Sequence, residues 1–115
     1  MTITIYHNPA CGTTRKVLEA IRAAGHDPDI VEYLKLGWTK VQLQALFAAA
    51  GVTAREALRV ANSPAAALGL TAEAVSEDQI LEAMVHLPAL VQRPFVVTPK
   101  GAALCRPVDR LASLL

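Results

Sequence analysis

The order of the predicted elements is the feature of this sequence that most restricts its fold. Apolar residues alternate over Thr2–Tyr6, which predicts a strand, and then recur at helical spacing from Thr13 until Gly25 offers a stop. A second strand is predicted over Asp29–Leu34, which is rich in β-forming residues. A strand, a helix and a strand in this order form a βαβ unit, whose strands are parallel and whose crossover is right-handed.

The middle of the chain is predicted to be a block of helices. Three Ser/Thr-x-x-Glu/Gln patterns can each satisfy free backbone amides at the start of a helix, and these are Thr39 with Gln42, Thr53 with Glu56, and Ser76 with Gln79. The first helix is predicted over Lys40–Ala50, and the last over Glu77–Leu87 before Pro88. Ser63-Pro64 indicates a short helical turn between them.

The end of the chain returns to strands. Phe95–Thr98 and Ala102–Cys105 are predicted to form a hairpin, and Pro107 begins a last helix with the apolar stripe Val108, Leu111 and Leu114. The full order is β-α-β, a helical block, then β-β-α. It predicts one α/β domain over residues 1–115 with a thioredoxin-like fold. Its mixed four-stranded sheet would carry a helical insertion, at about 38–90, between strands two and three.

Composition excludes several classes of function. Eleven Lys and Arg against ten Asp and Glu give a net charge of +1, far from the strongly basic balance typical of nucleic-acid binding. No apolar run approaches the ~18 residues that a membrane span needs. The first residues lack the basic and apolar segments of a secretory signal. We therefore expect a cytoplasmic protein that binds neither nucleic acid nor a membrane.

Cys11 is the candidate nucleophile. It falls between the first strand and the first helix, where its sulfur should face the free amides of Gly12, Thr13 and Thr14 and the positive end of the helix dipole. This placement favours a thiolate at neutral pH. His7, four residues earlier, either stabilises that thiolate as an imidazolium or is an exposed loop side chain.

The positions around Cys11 exclude three other kinds of thiol site. Position 14 is Thr14, so the Cys-x-x-Cys pair of a dithiol oxidoreductase is missing. A phosphatase-type loop needs an Arg six residues after the cysteine, where Val17 stands. His7, Cys11 and Cys105 offer at most three metal ligands, so no metal is expected. An external thiol must then return Cys11 from its oxidised or covalently modified form to the free thiol. No disulfide with Cys105 is expected.

Three arginines are candidate ligands for an oxyanion. An anionic substrate is repelled by a thiolate, and the bidentate guanidinium of Arg is well suited to offset that repulsion. Arg93 stands at the entry to the third strand, Arg106 follows the fourth, and Arg59 lies in the helical block, which is able to act as a lid. The alternative for each is a surface ion pair, and that is the expectation for Arg15, Arg22 and Arg110.

Several segments resemble the glutaredoxin-coupled arsenate reductases across essentially the whole chain. They are Tyr6–Thr13 (YHNPACGT), Leu58-Arg59, and Gln92–Pro107, which contains Arg-Pro-Phe-Val-Val-Thr-Pro and Leu-Cys-Arg-Pro. The resemblance implies a thioredoxin-like fold with a helical insertion. It also implies that arsenate is reduced to arsenite at the expense of glutathione and glutaredoxin, with glutathione as co-substrate and no tightly bound cofactor.

The resemblance also implies a role for individual residues. Cys11 would form a thiol–arsenate adduct, with His7 supporting its ionisation. The oxyanion would be bound and polarised by Arg59, Arg93 and Arg106. The peptide bond before Pro94 would be cis, and Cys105 would have no catalytic role. Two positions depart from the family pattern: Val60 replaces an expected basic residue, and Ala103 stands where a charged residue is common.

Two other functions are compatible with the same fold. A thiol-based transcriptional regulator that binds RNA polymerase would usually carry Cys-x-x-Cys, and Thr14 argues against it. A related glutathione-dependent reductase would act on a different substrate. Arsenate and phosphate are nearly isosteric, so the sequence does not show how one is chosen over the other.

Overall fold

The computed structural model describes residues 2–115 and divides the chain into two compact units. One unit combines the two ends of the chain, up to Leu36 and from Arg93 onward. The other is Gly37–Gln92, which closely matches the helical block predicted at about 38–90. That the two together form a single domain stays a prediction.

The first unit is built on a mixed four-stranded sheet. Its strands stand in the order β2-β1-β3-β4, with β1 parallel to β2 and antiparallel to β3, and β3 antiparallel to β4. Their bounds are Thr4–Tyr6 (β1), Asp29–Val31 (β2), Phe95–Thr98 (β3) and Gly101–Leu104 (β4). The mixed sheet, the parallel β1–β2 pair and the β3–β4 hairpin are confirmed.

Helix α1, Gly12–Ala23, supplies much of the apolar core of this unit. Its buried face packs with β1, β3 and a 3₁₀ helix, Val108–Leu114. The spacing of the α1 residues follows the helical period, and Ile3 and Ile5 follow the two-residue period of a strand. The core comprises Ile3, Ile5, Val17, Leu18, Ile21, Val96, Cys105, Leu111 and Leu114.

The second unit is helical, and all three predicted capping boxes are present in it. Its helices are α3 (Lys40–Ala50), α4 (Ala54–Ala57), α5 (Glu77–His86) and a 3₁₀ helix at Pro88–Leu90. The other three all pack against α5. The carboxylate of Glu77 also accepts hydrogen bonds from the amides of Ala54 and Arg55, which ties the starts of α4 and α5 together.

Two predictions about local structure are wrong in part. The second strand ends at Val31, because the amides of Lys35 and Leu36 donate to the carbonyl of Glu32 and close a short helix, α2, over Tyr33–Leu36. The single helical turn predicted at Ser63-Pro64 is present, since the amide of Leu68 donates to the carbonyl of Pro64 at 2.9 Å within a run of turns and bends over 61–75. The last helix is 3₁₀ rather than α. Within residues 2–115, no helix combines the length and the apolar character needed to cross a bilayer.

Candidate active site

Cys11 is the N-cap residue of α1 and follows a tight turn at the end of β1. The side-chain oxygen of Asn8 accepts from the amide of Ala10 at 3.0 Å, and its carbonyl accepts from the amide of Cys11 at 3.0 Å. An Asn side chain that bonds the backbone two residues ahead stabilises such a turn. Asn8 is itself buried, so the turn that presents Cys11 is fixed by both hydrogen bonds and packing.

The start of α1 differs from the start of the three capped helices. Helices α3, α4 and α5 are each preceded by an N-cap residue whose side-chain hydroxyl accepts a hydrogen bond from the amide of the third helical residue. In α1 the N-cap residue is Cys11, which makes no such hydrogen bond, and the third residue is Thr14. The third residue of the other three helices is Gln or Glu. The Thr14 side chain is shorter, so its hydroxyl stays within the first turn of α1. The first turn of α1 is therefore available to a thiolate or an external anion.

Two arginines converge on the Cys11 sulfur from the ends of β3 and β4. Nη1 of Arg106 lies 3.9 Å from Sγ of Cys11 and donates to the carbonyl oxygen of Arg93 at 3.2 Å. The side chain of Arg93 also lowers the pKa of Cys11. The peptide bonds before Pro94 and Pro107 are both cis, which confirms the expectation for the first of them.

The pKa of Cys11 is lowered from its ordinary value of 9.0 to about 6. Burial raises the pKa, but the hydroxyl and amide of Thr14 and the guanidinium groups of Arg93 and Arg106, which favour the charged sulfur, more than offset that effect. Cys11 is therefore mostly thiolate at pH 7, the form of cysteine that acts as a nucleophile. This agrees with the prediction of an activated cysteine.

Cys105 is chemically quite different. It is free and has no exposed surface, and it packs in the core of the first unit. Burial raises its pKa to about 11, against a smaller lowering by the charge of Arg110. A cysteine in this state behaves as a small apolar residue, which supports the prediction that Cys105 has no catalytic role.

His7 is buried at the end of β1. Its pKa is lowered mainly by burial, which outweighs the opposing charge of Glu32, and the charge of Arg22 lowers it further. The lowered pKa disfavours the imidazolium that could stabilise Cys11, and that role stays a prediction, whereas the alternative of an exposed loop side chain is wrong. Its Nδ1 is buried and has no hydrogen-bond partner within residues 2–115. A catalytic role for His7 stays a prediction.

Arg59 is held within the helical unit. Its Nη1 donates to Oε1 of Gln92 at 2.9 Å, and its amide donates to the carbonyl of Leu90 at 2.8 Å. The preceding residue, Leu58, pairs with Val91 in an isolated antiparallel bridge. These contacts fix Arg59 within its own unit, and its part in oxyanion binding stays a prediction. Val60, the first departure from the family pattern, is half exposed.

The helix-start residues differ in exposure. Gly12 is exposed, Thr13 is half-buried and Thr14 is completely buried. These three residues were identified from the sequence for their backbone amides, but no role was assigned to the side-chain hydroxyl of Thr14. A cysteine at the N-cap position followed by a hydroxyl residue three positions later is the signal that would have found it.

The groups around the sulfur suit an anion better than a metal cation. Two guanidinium groups and the start of a helix all favour negative charge. Across residues 2–115, no three His, Cys, Asp or Glu side chains lie close enough together to hold a metal ion. The arrangement combines a nucleophilic sulfur with donors able to bind a tetrahedral oxyanion.

We expect the Thr14 hydroxyl to control the ionisation of Cys11. In a Cys105→Ser background, the alkylation rate of Cys11 by iodoacetamide should rise with a midpoint at a pH of about 6. Thr14→Val keeps the shape but removes the hydroxyl, and should move this midpoint up by about one unit, the size expected for one hydrogen bond to a charged group. Thr14→Ser should keep the parental midpoint. Identical profiles for the Val and Ser variants would contradict the assignment.

Comparison with known proteins gives a consistent result. Residues 6–114 match the ArsC family. The chain is 58% identical over 113 residues to the arsenate reductase ArsI2 of Synechocystis, covering 98% of this chain and 81% of that protein. It is 50% identical over 115 residues to an arsenate reductase of Rhizobium meliloti, covering 100% of this chain and 82% of that protein.

A solved structure shows the same fold. The arsenate reductase from Vibrio cholerae superposes with a TM-score of 0.94 at 29% identity, covering 100% of this chain and 98% of that one. The sheet order and helical block described above are therefore shared with a protein of that name along its whole length.

Proposed function

Since the chain belongs to the ArsC family, we propose that it is an enzyme that reduces arsenate to arsenite, with Cys11 as its nucleophile. The observation that carries this proposal is the Cys11 thiolate beside Arg106, with Nη1 at 3.9 Å from Sγ. A thiolate alone would repel an anionic substrate. The two guanidinium groups supply the positive charge that lets arsenate approach it.

In the first step, the Cys11 sulfur attacks arsenic and forms a sulfur–arsenic bond. One arsenate oxygen takes up protons and leaves as water. Arg93 and Arg106 bind the remaining oxygens, and the amides of Gly12, Thr13 and Thr14 at the start of α1 provide further donors. Because these groups stand on the ends of strands and a helix, they are held in place before the substrate binds.

Electron balance requires thiols beyond Cys11. Arsenic gains two electrons on going from arsenate to arsenite, and two thiols lose them as they form one disulfide. Cys105 cannot serve, because it is buried in the core and its pKa is raised to about 11. Thr14 occupies the position where a dithiol site has its second cysteine. We propose glutathione as the external thiol and glutaredoxin as the protein that returns Cys11 to its reduced state.

We also propose that the protein works in the cytoplasm. Both cysteines are free, and the mechanism requires Cys11 to be reduced before each cycle. A reducing compartment maintains that state and supplies the thiol that the reaction consumes.

The test is consumption of NADPH in a system that contains glutathione, glutathione reductase and glutaredoxin. We expect NADPH oxidation that depends on arsenate and needs both glutathione and glutaredoxin. Phosphate in place of arsenate is the matched control, since it offers a similar anion that these thiols do not reduce. NADPH oxidation at the same rate with and without arsenate would contradict the proposal.

A further inference from the structure

A surface groove of about 260 Å³ lies on the exposed side of α1, directly after the nucleophile. It is lined by Gly12, Arg15, Lys16 and Glu19, all of which are exposed. The Arg15 side chain lies towards Gly12, with Nη2 at 4.0 Å from the point that a Gly12 Cβ atom would occupy. A guanidinium group therefore stands beside the residue that follows Cys11.

The charged groups of this groove are not engaged elsewhere in the part of the chain that the structure describes. Lys35 and Lys40 form ion pairs with carboxylates, but Arg15 and Lys16 form none within residues 2–115. Their side chains also make no hydrogen bond there. The surface ion pair predicted for Arg15 is therefore wrong, because Arg15 is at the surface without an acidic partner. Glu19 is likewise unpaired, so the groove presents two free cations and one free anion.

We propose that this groove binds the external thiol of the reaction by its charged groups, and that this thiol is a small peptide bearing carboxylates, such as glutathione. The inference rests on the proposed function. Glutathione carries two carboxylates and one ammonium group, the complement of Arg15, Lys16 and Glu19. A guanidinium binds a carboxylate through two parallel hydrogen bonds, and the Lys16 ammonium binds a second as a point charge.

The size and position of the groove favour a small molecule. Its volume is at the low end of ligand pockets, so charge rather than apolar burial must supply the affinity. The ligand would lie against Gly12, which has no side chain to block its approach. A thiol held there is next to Cys11, where the adduct forms. Arg93 and Arg106 do not line the groove, so the two substrates would be bound by different cations.

The decisive variant is the double substitution Arg15→Ala, Lys16→Ala. We expect the KM for glutathione to rise about tenfold, as the loss of two exposed charge contacts allows. The KM for arsenate and kcat at saturating glutathione should stay at parental values. With 2-mercaptoethanol, which has no charge to bind, the variant and parent should react equally fast. Arg110→Ala removes an exposed cation outside the groove and should leave the KM for glutathione unchanged.

A binding measurement separates this inference from the function on which it rests. S-methylglutathione has no free thiol, so its binding can be followed by amide chemical shifts without turnover. We expect it to shift the signals of Gly12 and Lys16 in the parent and to bind at least tenfold more weakly to the double variant. Equal binding to both proteins, or an equal KM for glutathione, would overturn the inference. If the parent bound S-methylglutathione in this way but did not reduce arsenate, the groove would stand and the proposed reaction would fail.

Discussion

Replacement of Cys11 by serine should reduce arsenate turnover to the background rate, a fall on the order of 10⁴-fold or more. The sulfur is a thiolate at pH 7 because its pKa is about 6, whereas a serine hydroxyl in the same place stays protonated. The other cysteine cannot substitute for it, since Cys105 is buried in the core. Turnover by the coupled NADPH assay measures the effect, and circular dichroism checks that the variant is folded.

Cys105 provides the matched control for this substitution. Cys105→Ala removes the second sulfur without placing a polar group in the apolar core, and should leave turnover close to parental. Cys105→Ser should also keep most of the activity, with a loss of stability of about 1–3 kcal/mol from burying a poorly bonded hydroxyl. If both Cys105 variants lost as much activity as Cys11→Ser, a two-cysteine mechanism would replace the one proposed.

Local signals in the sequence were sufficient for much of the fold. The capping pairs at Thr39, Thr53 and Ser76 specify hydrogen bonds between residues three apart, so their geometry follows from spacing alone. The position of Cys11 at the start of α1 followed from the same kind of local pattern. The early end of β2 was missed because Tyr33 and Leu34 were counted as strand-forming residues. In the structure, hydrogen bonds from two backbone amides to the carbonyl of Glu32 close a helical turn there.

The parts of the site that depend on distant contacts were harder to predict. Arg106 is 95 positions from Cys11, and the two meet because β3 pairs with β1 and β4 pairs with β3. The sequence identified the residue types but did not show this distance. The protonation of His7 was hard to predict for a related reason. Spacing places a histidine near a cysteine, whereas burial, which decides its protonation, is a property of the folded chain.

The two converging arginines should have the second largest effect on activity. Arg93→Ala and Arg106→Ala should each cost about 2–4 kcal/mol of transition-state stabilisation, the range for deletion of a preorganised donor, which is about 30-fold to 1,000-fold in kcat/KM for arsenate. Lysine at either position should restore only part of this, because an ammonium group cannot form two parallel hydrogen bonds to an oxyanion. Arg110→Ala, an exposed cation outside the site, is the control.

These arginines act on the sulfur as well as on the substrate, and the measurement must separate the two roles. Both lower the pKa of Cys11, so either alanine variant leaves less thiolate at pH 7. At a pH of about 10, above the ordinary cysteine pKa of 9.0, the variants are also mostly thiolate. A defect that persists at this pH therefore reports loss of oxyanion binding, whereas a defect that disappears reports only a change in the ionisation of Cys11. A folded Arg93→Ala, Arg106→Ala protein that reduced arsenate at the parental rate would contradict the arsenate mechanism. It would leave Cys11 as an activated thiol, as in a thiol-based regulator of the same fold.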